Sequence, residues 1–134
     1  MKKVMVFGTF DILHKGHEYL LREAGKYGDY LTVVLARDKT VLKVKKRKPV
    51  YSEKKRLENL KKLKIANKII LGSLKDKYSH IIKENPNVIC LGYDQKAFTK
   101  NLKENLAKRN LFPKRIRLKS FHPEKYKSSV LRKN

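Results

Sequence analysis

Apolar residues in this chain fall into short dense blocks, separated by polar stretches with a helical rhythm. Lys3–Phe7 is a β-branched and apolar run ending at Gly8, and Tyr30–Ala36 is a second buried run. Lys68–Leu71 and Val88–Leu91 are shorter, close at Gly72 and Gly92, and are followed by a fifth run, Arg115–Ser120. Near-continuous apolar runs bounded by glycine predict strands buried on both faces of a parallel sheet. Lys15–Gly28 carries Tyr19, Leu20, Ala24 and Tyr27 at helical spacing. Ser52 predicts an N-cap for a helix to about Leu63, with Leu57, Leu60 and Leu63 on one face. Lys75–Glu84 predicts a helix stopped by Pro86, Ala97–Asn110 another, and Ser128–Lys133 a last helical turn or two. Residues 37–51 are polar and basic, with Pro49 near their end, and predict a loop.

Strands and helices thus alternate from end to end, which predicts an α/β fold: a doubly wound, five-stranded parallel sheet. Right-handed crossovers give the strand order 3-2-1-4-5. A chain of 134 residues fits one domain spanning 1–134. In this order the sheet reverses between strands 1 and 4, and ligands bind at such a switch point. The segments lining it are Gly8-Thr9-Phe10-Asp11 and Gly92-Tyr93-Asp94-Gln95.

Composition narrows the class. A single cysteine excludes an intramolecular disulfide and a CxxC metal site, and Cys90 lies inside an apolar strand as a small core residue. The four apolar residues after Met1-Lys2-Lys3 are too few for a signal segment, and no run approaches membrane-spanning length, so a cytoplasmic protein is expected. The formal charge is +23, concentrated in two segments: residues 39–64 and 100–134 each carry an excess of +10, the rest only +1 and +2. Such segments suit a polyanion, whether nucleic acid, nucleotide or phosphorylated substrate, and equally suit solvated helix faces. Aromatic residues are not interleaved with the charge as a single-strand groove needs. A basic nucleic-acid-binding module without catalysis remains the reading from another class.

The loop after the first strand carries the most chemistry. Gly8 lets the chain turn and a ligand approach the main chain, and Thr9 supplies a hydroxyl and an N–H. His14 and His17, three apart at a helix start, share one face. The helix N-terminus adds N–H groups and the positive end of its dipole, which suits phosphate. Two imidazoles there can donate hydrogen bonds to oxygens whose charge grows as a phosphoryl group is attacked. Zinc ligation is the competing reading, but it needs three or four protein ligands and no cysteine is near. Asp11 is placed either to cap the helix or to contact substrate.

Gly8-Thr9-Phe10-Asp11 followed by His14-Lys15-Gly16-His17 resembles the HxGH signature of the nucleotidyltransferase superfamily, in its small cytidylyltransferase-like group. Leu91-Gly92-Tyr93-Asp94-Gln95 and Val34-Leu35-Ala36-Arg37-Asp38-Lys39-Thr40-Val41 are most similar to the archaeal-type FAD synthases of that group. The resemblance implies a Rossmann-like fold and in-line transfer of a nucleoside monophosphate from an NTP to a phosphate-bearing acceptor, releasing pyrophosphate. ATP and FMN are the implied substrates, with CTP and glycerol 3-phosphate or another polyol phosphate as the alternative pair. Magnesium or another divalent cation would bridge the nucleotide phosphates, and a homodimer is compatible with the family. His14, His17 and Lys46 are the implied catalytic residues. Gly8, Thr9, Phe10, Lys15, Gly16, Gly92, Asp94, Tyr126, Ser128 and Ser129 join the histidines in the implied nucleotide site, and Asp11 and Arg56 are the implied acceptor-binding residues. Lys46 is chosen from a basic loop that can swing onto the triphosphate. Asp94 at a strand end can accept from a ribose hydroxyl or the base. Ser128 and Ser129 either bind phosphate or simply cap a helix, and Tyr126 either stacks on the base or packs the tail. Lys54, Lys55 and Lys127 depart from the family pattern.

Overall fold

The apolar blocks become the centre of a sheet. The computed structural model describes residues 1–76, 78–91 and 102–118. β1 (Lys3–Gly8) leads through α1 (Lys15–Gly25) to β2 (Tyr30–Leu35). Two helices, α2 (Asp38–Lys45) and α3 (Glu53–Lys62), precede β3 (Lys68–Leu71). α4 (Ser79–Glu84), β4 (Val88–Leu91), a helix here numbered α5 (Leu102–Ala107) and β5 (Lys114–Arg117) follow. The five strands form one parallel sheet in the order β3-β2-β1-β4-β5.

Alternation along each strand feeds two cores. Val4 and Val6 of β1, with Leu31, Val33 and Leu35 of β2, pack on Leu21 and Ala24 of α1 and Leu60 of α3. Met5 and Phe7 point to the other face, where Ile81 of α4 and Leu102 and Leu106 of α5 meet them. The helices therefore cover both faces, as burial of a parallel sheet requires. Register brings Gly8, Leu35 and Leu71 level, so the loops after β1, β2 and β3 leave the sheet at one edge.

The sequence and the structure differ in two places. Residues 38–45, expected in a loop, form α2, whose N-cap Arg37 makes no side-chain capping bond. The cap comes from a distance: Asp38 N–H donates to Glu53 Oε1 at 2.9 Å, and Glu53 N–H returns a bond to Asp38 Oδ2 at 3.2 Å. Each helix thus caps the other, a partnership no local window contains. The helix expected from Lys75 starts only at Ser79. Ser73 Oγ accepts from Lys75 and Asp76 N–H, and Asp76 Oδ1 from Tyr78 N–H, which holds this stretch in turns instead. Ser52 caps α3 as expected, its hydroxyl accepting from Lys55 N–H. Gly92, Asp94, Tyr126, Ser128 and Ser129, and the helical turn expected over 128–133, lie outside the described residues. No helix among the described residues is long and apolar enough to cross a membrane.

Candidate active site

His14 and His17 sit where β1 hands over to α1, and the backbone fixes both rings. His14 is the N-cap of α1, the role that Asp11 was a candidate for. Its Nδ1 accepts from Gly16 N–H at 3.0 Å, while His17 Nδ1 accepts from His14 N–H at 3.3 Å. This reciprocal pair is a capping box written in histidines. It decides the tautomer. A neutral imidazole that accepts at Nδ1 carries its proton at Nε2, so each ring presents an Nε2–H donor. The ring centroids lie 3.9 Å apart with a 36° tilt.

Protonation is disfavoured at both rings. Burial pushes the His14 pKa below its ordinary value. His17 falls to about 3, through burial first, then the neighbouring His14, then the ammonium of Lys45. The pair is neutral at neutral pH. It would therefore act by directed hydrogen bonding rather than by imidazolium charge.

Phe10 forms the wall beside them. Its ring centroid is 5.3 Å from that of His17, and it is 4% exposed. To place the ring there the backbone takes φ +49° at Phe10, a strained value for a non-glycine residue. Gly8 has no positive φ. It is needed for another reason, since a Cβ there would lie 2.6 Å from Phe10 Cε2. The sharp turn expected at Gly8 is thus made by Phe10, and Gly8 makes room for it.

Asp11 and Arg56, expected to meet the acceptor, are spent inside the molecule. Asp11 is 5% exposed, and its two oxygens accept from Val50 N–H at 2.6 Å and Tyr51 N–H at 2.8 Å. Arg56 is fully buried. Its guanidinium donates to Tyr51 O at 3.1 Å, Thr9 O at 2.9 Å and Asp38 Oδ1 at 2.7 Å. A guanidinium so enclosed cannot reach a second substrate in this conformation, and its charge is met by Asp38 and two carbonyls. Both residues instead strap the α2–α3 connection to the loop after β1. Thr9 contributes its carbonyl to that strap. The Gly16 amide, expected to be open to phosphate, is taken by His14, and the Lys15 side chain is exposed.

The basic segment is placed differently from the expectation. Lys46 ends α2 in the left-handed conformation, φ +63°, with its side chain exposed. Lys45, one residue earlier, is the cation whose charge acts on His17. Sequence reasoning missed Lys45, Asp38 and Glu53 because it had no α2. One signal was available: Glu53 is one of only two acidic residues within 39–64, directly after a capping serine. Among the described residues no three His, Cys, Asp or Glu side chains gather where they could hold a metal ion.

The profile of the cytidylyltransferase-like family matches residues 5–134, nearly the whole chain. This chain belongs to the cytidylyltransferase-like family. Within it, the chain is 46% identical to the FAD synthase of Methanosarcina mazei over 118 residues, 88% of this chain and 77% of that protein. It is 40% identical to the FAD synthase of Methanocorpusculum labreanum over 130 residues, 97% and 91% of the two chains. The crystal structure of a lipopolysaccharide core biosynthesis protein from Thermoplasma volcanium superposes with a TM-score of 0.84 at 38% identity, covering 90% of this chain and 98% of that one. A pantoate-β-alanine ligase from Francisella tularensis shares the fold alone, with a TM-score of 0.64 at 15% identity over 98% and 67% of the two chains. The cytidylyltransferase-like assignment makes this chain a nucleotidyltransferase, the class that its histidine motif resembles.

Proposed function

We propose that this nucleotidyltransferase is an FMN adenylyltransferase, joining FMN and ATP to give FAD and pyrophosphate. A phosphate oxygen of FMN attacks the α-phosphorus of ATP, the new P–O bond forms in line, and the bond to the bridging α–β oxygen breaks. The observation that carries the site is the pair of neutral imidazoles, each held at Nδ1 by a backbone N–H and so protonated at Nε2, with His14 Nε2 itself buried. Charge grows on the non-bridging α-phosphate oxygens as the nucleophile closes, and fixed donors stabilise that charge without reorganising. A phosphate dianion is already a nucleophile, so neither histidine has to remove a proton. Lys45 adds positive charge that reaches His17, on the side from which the acceptor phosphate approaches the α-phosphorus. The relatives named FAD synthase support the choice of acceptor and nucleotide.

Magnesium fits as a passenger of the nucleotide. With both Nδ1 atoms used in capping, the histidine pair is not a chelating set. A bound cation would take most of its ligands from phosphate oxygens and neutralise the leaving pyrophosphate.

Pyrophosphate release with FMN plus ATP, against glycerol 3-phosphate plus CTP, in magnesium buffer tests the proposal. The first pair is expected to turn over with formation of FAD. Turnover only with the second would replace FMN by a polyol phosphate, and turnover with neither would overturn adenylyl transfer to FMN.

A further inference from the structure

Nine large apolar side chains are exposed among the described residues, and four of them fall within one stretch of ten: Leu42 (44%), Val44 (61%), Val50 (49%) and Tyr51 (39%). Single exposed apolar residues are ordinary, but such a concentration marks a contact surface. This one adjoins the histidines. Val50 and Tyr51 hang by their amides from Asp11, three residues before His14, and the Tyr51 carbonyl is held by Arg56. Leu42 lies one turn before Lys45 on α2, so the two share a helix face, and Lys45 acts on His17. Cations alternate with these apolar positions at Lys43, Lys45, Lys46, Arg47 and Lys48.

Topology says which substrate meets this surface. α2 and α3 belong to the crossover from β2 to β3, whereas the switch point lies between β1 and β4 on the other side of β1. A doubly wound sheet binds its nucleotide at the switch point. In-line displacement sets the acceptor opposite the leaving pyrophosphate, so the acceptor approaches from another side. The chemistry agrees: alternating apolar and cationic groups suit a flat ring system that carries a phosphate, and a glycerol phosphate has no ring to offer an apolar shelf.

We propose that Leu42, Val50 and Tyr51 form a shelf for the aromatic ring system of the acceptor, with the neighbouring cations drawing in its phosphate; Val44, two residues from Leu42, lies on the opposite face of α2 and takes no part. The shelf rests on the FMN reading and names the residues that select this acceptor. Its test uses Leu42→Ser, Tyr51→Ser and Tyr51→Phe beside the unaltered protein. FMN binding is followed by quenching of flavin fluorescence, KM is measured for FMN and for ATP, and mass in solution is recorded. Both serine variants are expected to weaken FMN binding and raise its KM roughly tenfold, with KM for ATP within about twofold. Tyr51→Phe keeps the ring and is expected to bind FMN as the unaltered protein does. FMN affinity within about twofold in both serine variants would overturn the shelf, as would a rise confined to KM for ATP. Dissociation of a dimer with FMN affinity intact would also overturn it, assigning the face to a second copy of the chain. If the unaltered protein makes no FAD, the FMN reading falls first; if it makes FAD while the variants bind FMN normally, only the shelf falls.

Discussion

Replacing Asp11 with alanine removes the carboxylate that holds the Val50 and Tyr51 amides at 2.6 and 2.8 Å. Hydrogen bonds to a charged acceptor contribute about 1.5–3 kcal/mol each, so the two together hold the strap with roughly 3–6 kcal/mol. Little of that has to appear as lost global stability. Val50 and Tyr51 are partly exposed, and water takes over their amides if residues 46–51 swing away. The larger effect is local: the opening equilibrium of the strap rises by about 10²-fold or more. Hydrogen exchange at the Val50 and Tyr51 amides reads this directly, and their protection is expected to collapse while strand amides of β1 and β2 keep theirs. FAD formation is expected to fall at least about tenfold, because the segment that follows α2 then loses its anchor to the loop that carries the histidines. Asp11→Asn separates charge from volume. It has nearly the same shape, but its NH2 group would face one of the two N–H donors, so it should behave like alanine. Exchange at both amides and FAD formation within about twofold of the unaltered protein, in both variants, would refute the strap.

Other consequences follow from the same geometry. His17→Ala removes an Nε2–H donor and the acceptor of the His14 amide, so turnover should drop about 10²–10³-fold with a stability loss near 1 kcal/mol. Steady-state FAD formation and urea unfolding measure the two effects separately. Lys45→Ala should reduce kcat/KM by about tenfold or more. Lys46→Gly, by contrast, should raise stability by about 0.5–1 kcal/mol, since glycine accepts the left-handed conformation at the end of α2 without strain; thermal unfolding of the two variants checks the contrast. His17 has a folded pKa of about 3 against an unfolded value of 6.5, so below about pH 6.5 the unfolded chain binds a proton that the folded chain refuses. Stability should therefore fall as pH drops through this window, by up to about 1.4 kcal/mol per unit from His17, with His14 acting in the same direction. Urea unfolding at pH 7.5, 6 and 5 tests the sign, and His17→Ala should flatten the slope.

Much of the frame was legible because its causes are local. Apolar β-branched runs ending at glycine located the strands, since burial on both faces leaves no polar alternation to confuse them. Handedness and short connections then left one strand order to prefer, and the HxGH loop lay at its centre. Spacing alone put the two histidines on one face at a strand-to-helix turn, and the resemblance to the HxGH signature implied their role.

What the tertiary structure decided depends on partners far apart in the chain. α2 has weak local support, with Thr40, Val41 and Val44 branched at Cβ, and it stands on a cap borrowed from Glu53. Asp11 and Arg56 have the charges of substrate-binding groups, and only their burial shows that they bind main chain 40 and 47 residues away. The charge of Lys45 acts on His17, and the segment that carries it is a helix rather than a loop. The sequence by itself determined the sheet and the identity of the two imidazoles, since both follow from neighbours within a turn or a strand. The proton position on those rings, the strap and the lysine beside them were decided by the fold, because long-range hydrogen bonds and burial exist only after the chain has closed on itself.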